Sequence, residues 1–187
     1  MTGHGHVDHS GENKRVALLI AVLALFLALA ETGAKSAQTE ALSRNVEASN
    51  LWAFFQARTI RQTTLRTAAE TAALLPDTGD ETRRATNSRQ VAAWQATAQR
   101  YESEPSTGEG RRELAERAKA AERIRDRSMA AYHMYEYGSA AFQVAIVIAS
   151  ASIVTGVPLL ALGGALLGVL GTVLAGLGFF APELLHL

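Results

Sequence analysis

Tyr137 to Thr155 reads YGSAAFQVAIVIASASIVT and Pro158 to Pro182 reads PLLALGGALLGVLGTVLAGLGFFAP, with Gly156-Val157 between them and no charge in either stretch. An apolar run of about 18 residues or more is long enough to cross a bilayer as a helix, which satisfies its own backbone polar groups where water cannot. The two stretches read as transmembrane helices 137–155 and 158–181, turned back on each other at Gly156-Val157-Pro158. A third apolar run, Val16 to Ala30, follows Lys14-Arg15 and extends through Gly33-Ala34, which places a first span at 14–34.

Nearly all the charge lies in the region between the first and second of these runs. Of the 18 Lys and Arg, all but Lys14 and Arg15 lie from Lys35 to Arg127, and 18 Asp and Glu bring the formal charge to zero. That balance gives no basic footprint for nucleic acid. The absence of Cys excludes disulfides, thiol nucleophiles and Cys-ligated metals.

The first run also carries the marks of a secretory leader: a charged start, an apolar core and Ala28-Leu29-Ala30 as an A-x-A site. A retained helix is favoured because Ala17, Ala21, Ala24 and Ala28 recur at steps of four, three and four. Such a small-residue seam suits packing in lipid and has no use in a leader.

Residues 35–136 read as a helical, coiled-coil-like extramembrane region with helices near 35–75, 81–102 and 111–136. The first lacks Pro and Gly until Pro76-Asp77-Thr78-Gly79-Asp80, where Asp80 is placed to cap the next helix. Val91, Trp94, Ala98 and Tyr101 form one stripe of the second helix, and Leu114, Ala118, Ala121 and Ile124 one side of the third, where Glu113 and Arg117 are spaced to pair. Glu104-Pro105 to Gly110 is a polar loop between them. The fold class is thus an all-α membrane protein with three transmembrane helices and a long helical segment between the first and second. Residues 1–13 read as a disordered His-rich tail.

Three stretches, Asn13 to Leu25, Ala30 to Thr39 and above all Asn50-Leu51-Trp52-Ala53-Phe54-Phe55-Gln56-Ala57-Arg58, resemble an uncharacterised bacterial membrane family, the domain of unknown function 4337. The resemblance covers most of the chain. It implies a multi-pass protein of the bacterial inner membrane and brings with it no catalytic residue.

Few side chains invite chemistry. His4, His6 and His9 are weak candidates for a metal, since imidazoles on a Gly-rich tail are not preorganised, and no metal site or cofactor is expected. Tyr132, His133, Met134, Tyr135 and Tyr137 read as an aromatic belt at the headgroup level, and His186 has no evident partner. Glu31 and Lys35, at i and i+4, read as an ion pair at the membrane edge, the sharper alternative being a proton or cation site at Glu31. Arg58, Arg61 and Arg66 read as a solvated face. Trp52, Phe54 and Phe55 are the candidate partner-binding patch, with helix core as the ordinary alternative. Gly164, Gly168 and Gly171 form a helix-packing face matched by Ala141, Ala145 and Ala149.

No P-loop, dinucleotide fingerprint, nucleophile elbow or zinc-protease motif is present, so no enzyme is expected. A membrane-anchored scaffold or adaptor that associates with itself or with another membrane protein is the leading expectation, and a small transport or channel subunit the alternative. Lys14-Arg15 argue for a cytoplasmic N-terminus and an exported middle region, whereas Arg117 to Arg127 argue for the reverse. The first helix is given the decision because the connecting region is too long for the positive-inside rule to be strong.

Overall fold

A computed structural model of the protein describes residues 9–75 and 79–184, all in helices and short connections. The helices are α1 (His9–Ala73), α2 (Glu81–Glu102), α3 (Arg111–Thr155) and α4 (Pro158–Phe180), followed by a 3-10 turn at Pro182–Leu184. Helix is already formed at His9, inside the stretch read as a disordered tail, because extending an existing helix costs little once it is nucleated. Three of these helices, α1, α3 and α4, are long and apolar enough to cross a membrane.

Local chemistry ends and starts them where it should. Asp80 Oδ1 accepts from the Thr82 and Arg83 amides at 2.9 and 3.2 Å, capping α2. The last carbonyls of α1 find a partner in Asn87, whose Nδ2 donates to Ala72 O at 3.0 Å. Between α3 and α4, Gly156 takes a φ of 68°, a left-handed conformation that glycine adopts without penalty. There the Gly156 amide returns to Ser152 O, Ser152 Oγ donates to Val157 O at 2.9 Å, and Pro158 starts α4 where no amide hydrogen is needed.

The chain divides into two compact units, Met1–Leu42 with Arg125–Leu187, and Ser43–Ile124. In the first, Leu23, Ala30, Phe142 and Ala145 form the core, joined by Leu19, Leu27, Ile146 and Leu167. The seam of α1 here is Val16, Leu23 and Ala30, all buried, whereas Ala17, Ala21, Ala24 and Ala28 are exposed. The alanine seam expected from sequence is therefore the outer face. Leu19, Leu23 and Leu27 fill more volume in the cluster around Phe142 than alanine would, and Phe26 stacks on that ring at 6.0 Å.

The buried glycines of α4 are Gly164, Gly168, Gly171 and Gly178, at steps of four, three and seven along one face. A Cβ on Gly164 would stand 2.9 Å from Ala145 O and 3.1 Å from Ala149 Cβ, and one on Gly171 would meet the Phe142 ring at 3.0 Å and Gly138 O at 3.1 Å. At Gly168 the neighbour is on α1, the Leu23 side chain. Met134 is buried and Tyr135 lies over Gly33, so two residues read as an interfacial belt are packing residues, while Tyr137 remains open.

In the second unit the inner positions of α1 run at alternating steps of three and four: Ala48, Leu51, Phe55, Arg58, Gln62, Leu65, Ala69 and Ala72 are all buried or half-buried. This is a heptad seam, the spacing that keeps one face of a helix on its neighbours. Ala98 of α2 and Leu114, Ala118 and Ala121 of α3 are buried there, while Ile124, expected on the same side, is exposed.

Replacing Gly164 by Ala should cost about 1–3 kcal/mol, because the new methyl meets a backbone carbonyl that cannot move alone. Gly176, which has open space around its Cβ position, should tolerate Ala or gain up to about 1 kcal/mol. Unfolding of the detergent-solubilised variants side by side measures the contrast.

Candidate functional site

The densest chemistry lies in the unit formed by Ser43–Ile124, around Gln62. Gln62 is 2% exposed on the heptad seam of α1, and burial obliges its amide to find partners. Its Nε2 donates to Ala98 O at 3.0 Å and to Glu102 Oε2 at 2.9 Å, both on α2, and its Oε1 accepts from Arg111 Nη1 at 2.6 Å. Arg111, the first residue of α3, also donates to Glu102 Oε2 at 2.8 Å and to Thr59 Oγ1 at 2.9 Å, and its guanidinium lies 4.9 Å from the Phe55 ring centroid. One arginine thus ties the start of α3 to the end of α2 and to the side of α1.

Arg58, read from sequence as part of a solvated face, is buried. Its guanidinium sits between the rings of Phe54 and Tyr101, at 5.2 and 4.9 Å, and pairs with Glu109. Its Nε has no hydrogen-bond partner. The two aromatic faces compensate for lost water, which a bare apolar wall would not do. Arg61 and Arg66 remain exposed, Arg66 reaching Glu102 at 3.9 Å.

The expected Glu113 to Arg117 pair is replaced by something tighter. Glu113 accepts from Ser103 Oγ at 2.6 Å and from the Glu104 amide at 3.1 Å, closing the 103–110 loop, and Arg117 donates instead to Gly108 O. Gly110 fits beneath this carboxylate only because it has no side chain: a Cβ there would lie 2.1 Å from Glu113 Oε2 and 2.4 Å from the Glu104 amide. The hydrogen bond from Ser103 is the main cause that holds Glu113 below the usual carboxylate range. For Glu102 the main cause of the same shift is the bond from Gln62, with Arg111 and Arg66 assisting against partial burial.

The aromatic patch makes contacts within the chain. Trp52, Phe54 and Phe55 are half-buried against Leu51, Leu114 and Ala118. Trp52 Nε1 donates to Glu122 at 2.8 Å and its ring meets Phe55 edge-on at 5.4 Å. Glu31 and Lys35 do not close an ion pair. Both are exposed, and the Glu31 carboxylate accepts from Gln143 Nε2 on α3 at 3.5 Å. His4, His6 and His186 lie outside the described residues, and His9 is the first residue of α1. Among the described residues no group of three His, Cys, Asp or Glu is placed to hold a metal.

Gln62, Glu102, Arg111 and Glu122 escaped the sequence reading. Only Gln62 left a trace there, as a polar residue seven positions after Phe55 and seven before Ala69 on a seam that is small or apolar apart from Arg58.

The family described as Domain of unknown function (DUF4337) matches residues 12–181. The chain belongs to that family. No curated protein and no solved structure matches it.

Because folding lowers the pKa of Glu102 and Glu113, their stabilisation is fully present above the ordinary carboxylate range and is lost as pH falls through the lower folded values. The loss of stability in acid should therefore begin as pH falls into that range and be complete below the folded values. Glu102→Gln should start from a lower stability at neutral pH and show a shallower fall, read by circular dichroism melts across a pH series.

Proposed function

We propose that the protein is a membrane-anchored helical scaffold or adaptor of the bacterial cytoplasmic membrane, that it has no catalytic activity and that it associates with itself. The observation carrying this reading is a second seam on α1. Val46, Ala53, Ile60 and Thr67 on α1, with Leu74 just past its end, recur at seven-residue steps and all are exposed, with Val46 at 59%, Ile60 at 67% and Leu74 at 84%. A heptad file on the solvent side of a helix whose inner seam is already filled is the pattern that receives another helix. A second copy presents the same file and can pair with it isologously. Anchoring is supported by the three apolar helices, in whose apolar windows only 17%, 33% and 17% of residues are buried, leaving Leu18, Leu25, Val147, Leu159 and Leu166 facing outward. The polar groups at Gln62, Glu102 and Arg111 satisfy one another, which suits rigidity and leaves none of the three poised to react.

The chain has no native Cys, so Ile60→Cys gives a clean crosslinking probe. Oxidation in native membranes should yield a disulfide-linked dimer from Ile60→Cys and none from Glu116→Cys on an outward face of α3. A monomeric Ile60→Cys band would remove self-association through this seam. A reporter fused after Gly108 would then assign the side of the membrane that carries 35–136, expected to be the exported side.

A second reading, a small transport or channel subunit, draws support from the Glu31 to Gln143 contact, two polar groups meeting beside apolar helices. It requires Glu31→Gln to abolish a flux while the assembly stays intact. A scaffold requires that change to be nearly silent.

A further inference from the structure

Within the unit containing Met1–Leu42 and Arg125–Leu187, a groove of about 830 Å³ opens between the 32–40 stretch of α1, the 127–135 stretch of α3 and the end of α4. Its position along the helices is informative. Each apolar stretch meets its first charged residue at this level: Glu31 and Lys35 on α1, Glu136 on α3 and Glu183 after α4.

The groove gathers polar side chains whose hydrogen-bonding capacity is still open. Lys35, Ser36, Arg127, Ser128 and Tyr135 line it, and among the described residues none of these side chains makes a hydrogen bond or an ion pair. Two basic side chains and three hydroxyls thus face one opening. Its acidic wall is Glu40, which already has an interaction partner within the chain. The rest of the lining is apolar or small, including Ala131, Gly178 and a Phe179 that is 70% exposed.

We propose that this groove holds the headgroup of an anionic phospholipid. Lys35 and Arg127 contact the phosphate oxygens, the hydroxyls of Ser36, Ser128 and Tyr135 supply further donors, and the glycerol and upper acyl chain lie over Phe179. Arg and Lys together with hydroxyl donors match phosphate oxygens in charge and geometry. The apolar wall argues for a lipid over a free anion, because inorganic phosphate would gain nothing from Phe179 and the small residues beside it. The anionic preference follows from two cations set against one carboxylate. The assignment rests on the reading that α1, α3 and α4 cross the membrane, which is tested separately below.

The test uses the full chain reconstituted into vesicles of equal phosphatidylglycerol and phosphatidylcholine, then released for native mass spectrometry. The unmodified protein should retain phosphatidylglycerol in preference to phosphatidylcholine. Lys35→Gln with Arg127→Gln should lower that preference about tenfold, at about 1 kcal/mol per cation near a membrane surface with some loss to neighbouring donors. Lys35→Arg with Arg127→Lys should keep it, and unchanged helicity by circular dichroism shows that each variant is folded. Equal retention of phosphatidylglycerol by the folded double Gln variant overturns the site. So does equal retention of the two lipids by the unmodified protein, and so does displacement of the lipid by millimolar inorganic phosphate, which would make the groove a simple anion site. Alkaline carbonate extraction tells the two readings apart: release of the unmodified protein from membranes defeats the anchor itself, while a protein that stays embedded without lipid preference defeats only the headgroup site.

Discussion

Close approach of helix backbones is the constraint on which the packing of this protein depends. Gly164 and Gly171 leave room for Ala145 O, Gly138 O and the Phe142 ring at distances that a methyl group would violate, and Gly168 receives Leu23. In the other unit, Ala48, Ala69, Ala98, Ala118 and Ala121 keep the seams equally thin. Small residues let many dispersion contacts form along a seam, but each buries little area, so hydrophobic burial per residue is modest. Something else must then hold each unit in register.

In the unit formed by Ser43–Ile124 that role falls to charge-assisted hydrogen bonds. Such bonds contribute about 1.5–3 kcal/mol each, and cation–π contacts about 0.5–2 kcal/mol, which compares well with the burial of an alanine methyl. The Gln62, Glu102 and Arg111 cluster has every member paired, which makes it a net gain where a half-satisfied network would be a loss. Arg58 is the less comfortable neighbour. It is buried with an unpartnered Nε, and is tolerated because Phe54, Tyr101 and Glu109 surround the rest of its guanidinium. These contacts fix where α2 and the start of α3 sit on α1, so the outer face of α1 can present an ordered row of side chains.

In the unit with the apolar helices the argument runs through what is left outside. Glycine and alanine settle the contacts between α3 and α4, and the large residues Leu159, Leu166 and Val169 point away from them. An apolar surface of this kind marks a site for contact with lipid or with protein. The polar groups reappear together where these helices reach their first charges, and that coincidence is what makes the groove by Lys35 and Arg127 chemically distinct from the rest of the surface.

Helix content, the breaks near 76–80 and 103–110, the Asp80 cap and the packing face of α4 follow from the amino-acid sequence by itself. These depend on neighbours within a few residues: an aspartate two and three positions before free amides, a proline or glycine that cannot continue a helix, glycines four and three apart. Which face of the first apolar stretch turns inward was decided by the tertiary structure alone. Nearly every residue from Val16 to Ala30 is apolar, so no amphipathic contrast distinguishes the file of Val16, Leu23 and Ala30 from that of Ala17, Ala21, Ala24 and Ala28, and the fit against Phe142 makes the choice. The same holds for the charged groups. A helical pair such as Glu113 with Arg117 is worth only about 0.3–0.5 kcal/mol, so a better-placed partner elsewhere in the chain, Ser103, takes the Glu113 carboxylate. Arg58, Gln62 and Arg111 are ordinary polar residues in a linear reading, and only the meeting of three helices gives them one another.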